Sequence, residues 1–103
     1  MVNVKGKWAL ITGASRGIGY LAAGFLAEQG CNLILHSRKT EHTEKIMAEV
    51  CAMGVEARSV AAELSDPEEV RRMLDSIDAM NLQVDIVMNN AGLQVGSCTE
   101  YFK

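Results

Sequence analysis

Residues 12–19 read TGASRGIG and separate two apolar segments of different period. The short run Trp8–Ile11 before them is typical of a strand buried on both faces. After them, apolar residues recur at steps of three and four, which predicts a helix that ends at the capping residue Gly30. The stripe expected to face the sheet is Ile18, Leu21, Ala22, Phe25 and Leu26. The segment therefore predicts a strand, a glycine turn and a helix in succession.

Each glycine of the turn has a distinct expected task. Gly13 allows a sharp turn, Gly17 removes a side chain where the backbone approaches a pyrophosphate, and Gly19 lets the helix pack close to the strand. The N-terminus of the helix then offers N–H groups and partial positive charge to the phosphates. The alternative is a glycine-rich connection that binds nothing. The chain has no GxxxxGK[ST] motif, so a nucleotide triphosphatase loop is excluded.

The same alternation continues along the chain. Residues 33–35, 55–62 and 84–88 predict three more strands, the third-strand segment being the weakest. Thr40 is a predicted N-cap of a helix that Gly54 ends, and Asp66-Pro67 predicts a further helix start. The apolar faces expected of these two helices are Ile46, Met47, Val50 and Met53, and Val70, Met73, Leu74 and Ile77. The pattern predicts an α/β fold with a doubly wound parallel sheet.

The residues after the second strand bear on the choice of cofactor. A carboxylate at this position pairs with the ribose 2′-hydroxyl of NAD, whereas a small polar residue with a nearby arginine suits a 2′-phosphate. This chain has Ser37 and Arg38 there, and Arg16 lies within the glycine turn. NADP(H) is therefore the expected cofactor, with both guanidinium groups near the phosphate. The alternative is that these are solvated surface arginines.

Composition limits the remaining classes of function. The chain has 103 residues, 10 basic and 13 acidic side chains and a net charge of −3, so nucleic acid is not an expected partner. It has no apolar run of membrane-spanning length and no signal peptide pattern, and we expect a cytoplasmic protein without membrane association. Cys31, Cys51 and Cys98 show no metal-ligand spacing, so free thiols are expected and a metal site is not.

With TGxxxGxG after the first strand and NNAG at residues 89–92, the chain resembles the short-chain dehydrogenases/reductases. The match extends over essentially all 103 residues and implies a Rossmann-type sheet. The segment GASRGIG is similar to the 3-oxoacyl-acyl-carrier-protein reductases, although sugar and steroid dehydrogenases share it. The resemblance therefore does not identify a substrate.

The resemblance also implies which residues contact the cofactor. The glycine turn would surround the pyrophosphate and adenosine ribose, and the residues after the second strand would hold the 2′-phosphate. Where the family has an aspartate and an aliphatic residue against the adenine, this chain has Glu63 and Leu64, and Glu63 is alternatively an exposed residue at a strand end. The full set is Gly13, Ser15, Arg16, Gly17, Ile18, Gly19, Ser37, Arg38, Glu63, Leu64, Asn90, Ala91 and Gly92.

Family members transfer a hydride between nicotinamide and a carbonyl or alcohol carbon. Their catalytic residues are a serine and a tyrosine–lysine pair with the spacing YxxxK. Tyr101-Phe102-Lys103 lacks that spacing, and Tyr20 and Ser97 do not replace it. His36 and His42 are expected to have ordinary surface roles. No catalytic residue is therefore assigned.

The missing catalytic residues imply that residues 1–103 are the N-terminal, first half (β-α-β-α-β-α-β) of a single Rossmann domain, with the edge of the fourth strand open. The full-length enzyme would act on a small carbonyl or alcohol and could form a homo-oligomer. The alternatives are a non-catalytic dinucleotide-binding module and an inactive remnant.

Overall fold

The sheet has four parallel strands in the order β3-β2-β1-β4. The structure, a computed structural model, describes residues 3–90. The strands are β1 (Trp8–Ile11), β2 (Asn32–Ser37), β3 (Ala57–Ala61) and β4 (Val84–Met88). The helices are α1 (Gly17–Glu28), α2 (Glu44–Ala52), which a 3₁₀ turn at Thr40–Thr43 precedes, and α3 (Pro67–Ala79). The predicted α/β fold with a doubly wound parallel sheet is confirmed.

Both faces of the sheet are covered by helices, as expected when strand side chains alternate between two buried faces. On one face, Ile11 and Leu35 belong to a cluster with residues of α1 and α2. On the other, Leu10 and Ile34 pack with residues of α3. Burial of each such side chain contributes about 1.5–3 kcal/mol, so the central strands anchor this part of the chain.

The face that α1 turns toward the sheet differs from the predicted one. Ile18, Leu21 and Phe25 are 58–71% exposed. The buried positions are instead the small residues Gly19, Ala23 and Ala27, which recur every four residues. Small side chains fit here because the helix begins immediately after the glycine turn and lies close to the strands beneath it. The predicted apolar stripe is therefore wrong at Ile18, Leu21 and Phe25. The other two members differ, since Leu26 packs partly buried against the core and Ala22 is half-buried, and the predicted helix is present.

The second helix begins later than predicted. Thr40 opens a 3₁₀ turn, and α2 starts at Glu44. Thr43 is buried and its hydroxyl donates to the backbone oxygen of Thr40 at 2.9 Å, leaving its oxygen 2.7 Å from the hydroxyl of Ser59. This hydroxyl cluster fixes the turn to β3 and postpones the α-helix. Met53 is 45% exposed, because it lies at the C-terminal cap and not on the buried face.

The third helix begins as its sequence predicts. Asp66 is the N-cap and its carboxylate accepts a hydrogen bond from the Glu68 N–H at 3.0 Å, with Pro67 in the first helical position. Val70, Met73 and Ile77 are buried against the sheet. Leu74 is only partly buried and packs at the margin of the same cluster.

Replacing Asp66 with alanine should lower the free energy of unfolding by about 1 kcal/mol, because the Glu68 N–H would lose its side-chain acceptor. Chemical denaturation of the two proteins measures the difference. Ser65→Ala is the matched control, since Ser65 is exposed and lies one residue outside the cap. An Asp66→Ala protein as stable as the Ser65→Ala protein would contradict the capping assignment.

Within residues 3–90, β4 pairs with β1 alone and forms one edge of the sheet. Its register against β1 shifts between Trp8 and Ala9. Val87 is 48% exposed, unlike the buried residues of β1 and β2. The edge of β4 is thus open in this part of the chain. None of the described helices is long and apolar enough to cross a membrane.

Candidate cofactor site

The loops that follow the four strands meet at one edge of the sheet, because parallel strands all end on the same side. The Thr12 N–H donates to the Met88 backbone oxygen at 3.0 Å, which ties the start of the glycine turn to β4. The Ala14 N–H donates to the His36 backbone oxygen at 2.8 Å, which ties the turn to β2. The Ala62 N–H in turn bonds the Ser37 oxygen at 3.1 Å. The loops after the strands therefore converge in residues 3–90.

The glycine turn uses the conformations that only glycine adopts without strain. Gly13 and Gly17 have φ values of 64° and 65°, in the left-handed region. Apart from its neighbours along the chain, a Cβ atom on Gly17 would meet no atom of residues 3–90 within 4 Å, so the space beside this backbone is open in the described structure. A Cβ atom on Gly19 would lie 2.3 Å from the Gly13 oxygen, which no packed structure tolerates. Gly19 therefore permits the close approach of α1, while Gly17 leaves room for a ligand.

The N-terminus of α1 lacks the features that usually satisfy a helix start. Its N-cap residue, Arg16, makes no side-chain capping hydrogen bond, and the first turn contains no acidic residue. The contrast is α3, where Asp66 caps the helix and two glutamates occupy the first turn. The first-turn N–H groups and the helix dipole at α1 can therefore serve an anion. Ser15 is partly buried just before this helix, and Ile18 is exposed within its first turn.

The residues after β2 differ in exposure. Ser37 is 3% exposed and its hydroxyl donates to the Lys39 backbone oxygen, so this side chain holds the local turn. Arg38 is exposed, as is Arg16 in the glycine turn. No acidic residue occupies the position that would pair with a ribose 2′-hydroxyl. The surface chemistry at this strand end is cationic.

The residues after β4 brace the glycine turn. The Asn90 side-chain Nδ2 donates to the Gly13 oxygen at 3.3 Å. The Thr12 hydroxyl lies 3.3 Å from Asn89 Oδ1. The resemblance assigns Asn90 to the cofactor site. In the described structure its side chain hydrogen-bonds the backbone of the glycine turn. The predicted site residues Ala91 and Gly92 lie outside the described residues.

At the end of β3, Glu63 is partly buried and its N–H donates to the Glu69 carboxylate at 2.9 Å. Leu64 is 7% exposed and belongs to the core cluster beneath α3. The Glu63 backbone is therefore fixed to α3, while the Leu64 side chain packs inward.

The sequence interpretation missed His36, for which it expected a surface role. His36 is 2% exposed at the end of β2. Its Nδ1 accepts a hydrogen bond from the Gly13 N–H at 3.0 Å, and its Nε2 lies 2.9 Å from the Ala62 oxygen. These partners assign one neutral tautomer, with the proton on Nε2. One feature of the sequence could have indicated burial. His36 directly follows the buried apolar run of β2, a strand that has a neighbouring strand on each side.

Burial lowers the pKa of His36 below its ordinary value, because the charged ring would lose its hydration. The Ala62 carbonyl and the Glu63 carboxylate oppose part of this effect, since both favour the imidazolium. The net direction agrees with the tautomer that the hydrogen bonds assign.

The family model of the short chain dehydrogenases matches residues 7–103. The chain belongs to the short-chain dehydrogenase family. Among curated members, it is 38% identical over 88 residues to the 3-oxoacyl-(acyl-carrier-protein) reductase FabG of Staphylococcus aureus, covering 84% of this chain and 36% of that reductase. It is 36% identical over 92 residues to versicolorin reductase stcU of Emericella nidulans, covering 88% of this chain and 35% of that protein. The chain therefore spans about a third of the length of these two curated relatives.

Solved structures of dehydrogenases and oxidoreductases share the fold. A metagenomic short-chain oxidoreductase in complex with NADP superposes with a TM-score of 0.81 and 34% identity, over 89% of this chain and 42% of that one. An NAD⁺-bound xylitol dehydrogenase gives a TM-score of 0.81 and 38% identity, over 90% of this chain and 36% of that one. The Rossmann-type parallel sheet is thus shown, and both forms of the dinucleotide occur among similar structures.

Proposed function

We propose that this chain is the NADP(H)-binding portion of an oxidoreductase that transfers a hydride between nicotinamide and a carbonyl or alcohol. The observation that carries the proposal is the uncapped N-terminus of α1, which follows a glycine turn directly. When bound, NADP(H) would supply the hydride or accept it. The chain itself would bind and orient the dinucleotide.

The described residues fit such a cofactor. The open space beside Gly17 admits a pyrophosphate to the first-turn N–H groups of α1. The guanidinium groups of Arg16 and Arg38 are exposed and can hydrogen-bond a 2′-phosphate. Ser37 supports this role indirectly, because its bond to Lys39 shapes the turn that presents Arg38. Glu63 lies at the neighbouring strand end, where the adenine would contact the protein.

Support for NADP(H) over NAD(H) comes from charge at the end of β2. A carboxylate there would repel a 2′-phosphate, and this chain has Ser37 and Arg38 in its place. Similar structures bind either NADP or NAD⁺, so the preference rests on these residues and not on the fold.

Two titrations test the proposal. The intact natural polypeptide that contains residues 1–103 should bind NADPH about tenfold or more tightly than NADH, because a hydrogen bond to a charged group contributes about 1.5–3 kcal/mol. Calorimetry measures both dissociation constants. Equal affinities would contradict the cofactor assignment, and the absence of binding to either would contradict the site itself.

A turnover assay separates the oxidoreductase from the binding module. Oxidation of NADPH in the presence of a panel of small ketones and aldehydes, followed by absorbance, should show activity in the intact polypeptide. Binding without turnover of any substrate would favour the non-catalytic dinucleotide-binding module. Weak cooperativity in melting and no ligand-induced shift would favour an inactive remnant.

We also propose that the full-length enzyme is cytoplasmic, forms a homo-oligomer and acts on a small molecule. Cys31 is buried and Cys51 exposed, and both are free thiols, which is typical of a reducing compartment. Size-exclusion chromatography with light scattering measures the oligomeric state, and a monomeric intact polypeptide would contradict that part.

A further inference from the structure

We propose that His36 is a positioning residue for the dinucleotide, which holds the glycine turn through the Gly13 N–H in its neutral form and releases it when protonated. The inference rests on the proposed dinucleotide function and adds a pH dependence to that site. His36 itself is not assigned any contact with the cofactor.

The imidazole makes two hydrogen bonds, one through each ring nitrogen. Nδ1 accepts from the Gly13 N–H at 3.0 Å, and Nε2 donates to the Ala62 oxygen at 2.9 Å. The ring therefore joins the loop after β1 to the loop after β3, across the end of β2. Gly13 is the residue at which the chain turns toward α1, and its φ of 64° fixes the direction of that turn. A shift at Gly13 would move the first-turn N–H groups of α1 away from a bound pyrophosphate.

Protonation is incompatible with this arrangement. An imidazolium carries hydrogens on both nitrogens, so its Nδ1–H would face the Gly13 N–H, and two donors cannot bond each other. The ring is 2% exposed, so water does not readily replace the lost acceptor. The Ala62 contact survives protonation, because Nε2 remains a donor. Protonation therefore disrupts the hydrogen bond to the glycine turn and leaves the hydrogen bond to Ala62 in place.

The charged groups around the end of β2 lie on several elements, and Arg38 and Lys39, which follow this strand directly, are exposed. Glu63, at the end of β3, favours the charged ring. Glu69 of α3 is directed to the same strand end, where it accepts from the Glu63 N–H. Arg16, in the glycine turn, is exposed. Burial outweighs the Ala62 hydrogen bond and the Glu63 carboxylate, and the pKa of His36 is lowered.

The sign of the pH effect follows from this lowered pKa. In the range just below the ordinary imidazole value of about 6.5, the unfolded chain binds a proton that the folded chain does not. Folding stability is therefore complete above that value and is lost as the pH falls through it toward the folded-state pKa. Affinity for the dinucleotide should decline toward the acidic end of the same range.

Two substitutions each keep one of the two hydrogen bonds of the ring and remove the other. In His36→Asn, the side-chain Oδ1 replaces the Nδ1 acceptor for Gly13, but no donor reaches Ala62. In His36→Gln, the side-chain Nε2 replaces the donor to Ala62, but the acceptor for Gly13 is lost. Neither side chain titrates. His42→Asn is the control, because His42 is exposed on the 3₁₀ turn after β2.

The binding test measures NADP⁺ and NAD⁺ affinity of the intact polypeptide from about pH 8 downward, through the titration of His36. The wild type should lose about tenfold in affinity for both ligands at a pH about one unit below the folded-state pKa of His36. Measuring NAD⁺ matters because the 2′-phosphate of NADP⁺ also titrates near pH 6, with a pKa of about 6. His36→Asn should keep its NAD⁺ affinity across the range, and His36→Gln should bind about tenfold more weakly at pH 8. His42→Asn should behave as the wild type.

A second readout needs no ligand. In protein labelled with ¹⁵N at histidine and glycine, the His36 nitrogen shifts should show the proton on Nε2 at pH 8. The Gly13 amide shift should then change with the His36 titration. Equal loss of NAD⁺ affinity in the wild type and His36→Asn, or a proton on Nδ1, would overturn the inference. If the wild type bound neither dinucleotide, the proposed function would fail, and the amide titration would still decide whether His36 holds the turn.

Discussion

Replacing Gly19 with alanine is expected to lower the free energy of unfolding by about 2–3 kcal/mol, the upper part of the range for overpacking a tight contact. The added methyl group would lie 2.3 Å from the Gly13 oxygen and 2.8 Å from Asn90 Nδ2. The oxygen is a backbone atom and cannot rotate away, so α1 must move. Affinity for NADPH should fall at least tenfold as well, because the first-turn N–H groups move with the helix. Chemical denaturation and calorimetry measure the two effects.

Gly24→Ala is the matched control in the same helix. Outside the backbone of α1, a Cβ atom there would meet no atom of the described residues within 4 Å, and Gly24 does not adopt a positive φ. Alanine should therefore stabilise the protein by about 0.4–1 kcal/mol, because it reduces the freedom of the unfolded chain without a clash. NADPH affinity should not change. If both variants were equally stable and bound NADPH equally well, the close approach of α1 to the turn would not be required.

The elements that the sequence predicted best are those in which local chemistry and packing agree. Asp66 and Pro67 specify the start of α3 by themselves, since a capping carboxylate and a fixed φ act within one turn of helix. The buried run of β1 is equally local in origin, because a strand covered on both faces needs no alternation. The glycine turn followed from its position between these two types of segment.

The face of α1 could not be predicted in the same way. Periodicity shows that a helix has an apolar side, but Ile18, Leu21 and Phe25 are one such side and Gly19, Ala23 and Ala27 are another. Which side faces the sheet depends on the distance between the helix and the sheet. The close approach of Gly19 to Gly13 sets that distance. Hydrophobicity favoured the larger side chains, whereas the space available admits the smaller ones.

The role of His36 also depends on a contact that is distant in sequence. Its partners Gly13 and Ala62 lie 23 and 26 residues away, and only the order of the strands brings them together. A histidine at a strand end is more often exposed than bridging, so its residue type indicated little. The strand order β3-β2-β1 supplies what was missing, because it places β2 between the two loops that the ring joins.

Arg38→Asp is expected to reverse the preference for NADPH over NADH. The exposed guanidinium follows β2 directly and would be replaced by a carboxylate. NADPH affinity should fall about tenfold to hundredfold, since hydrogen bonds to charged groups contribute about 1.5–3 kcal/mol and repulsion of the 2′-phosphate adds to the loss. NADH affinity should rise, because the new carboxylate can accept a hydrogen bond from the ribose 2′-hydroxyl. Calorimetric titration of both cofactors measures the ratio.

Lys7→Asp separates this local effect from that of net charge. It changes the charge of the protein by the same amount, but Lys7 is exposed and directly precedes β1, at the opposite end of the sheet from Arg38. Screening over about 10 Å at ordinary salt should leave both cofactor affinities nearly unchanged. A similar loss of NADPH affinity in the two variants would show that long-range charge governs binding. A selective loss in Arg38→Asp, together with a gain for NADH, would show that the residue after β2 distinguishes a phosphate from a hydroxyl.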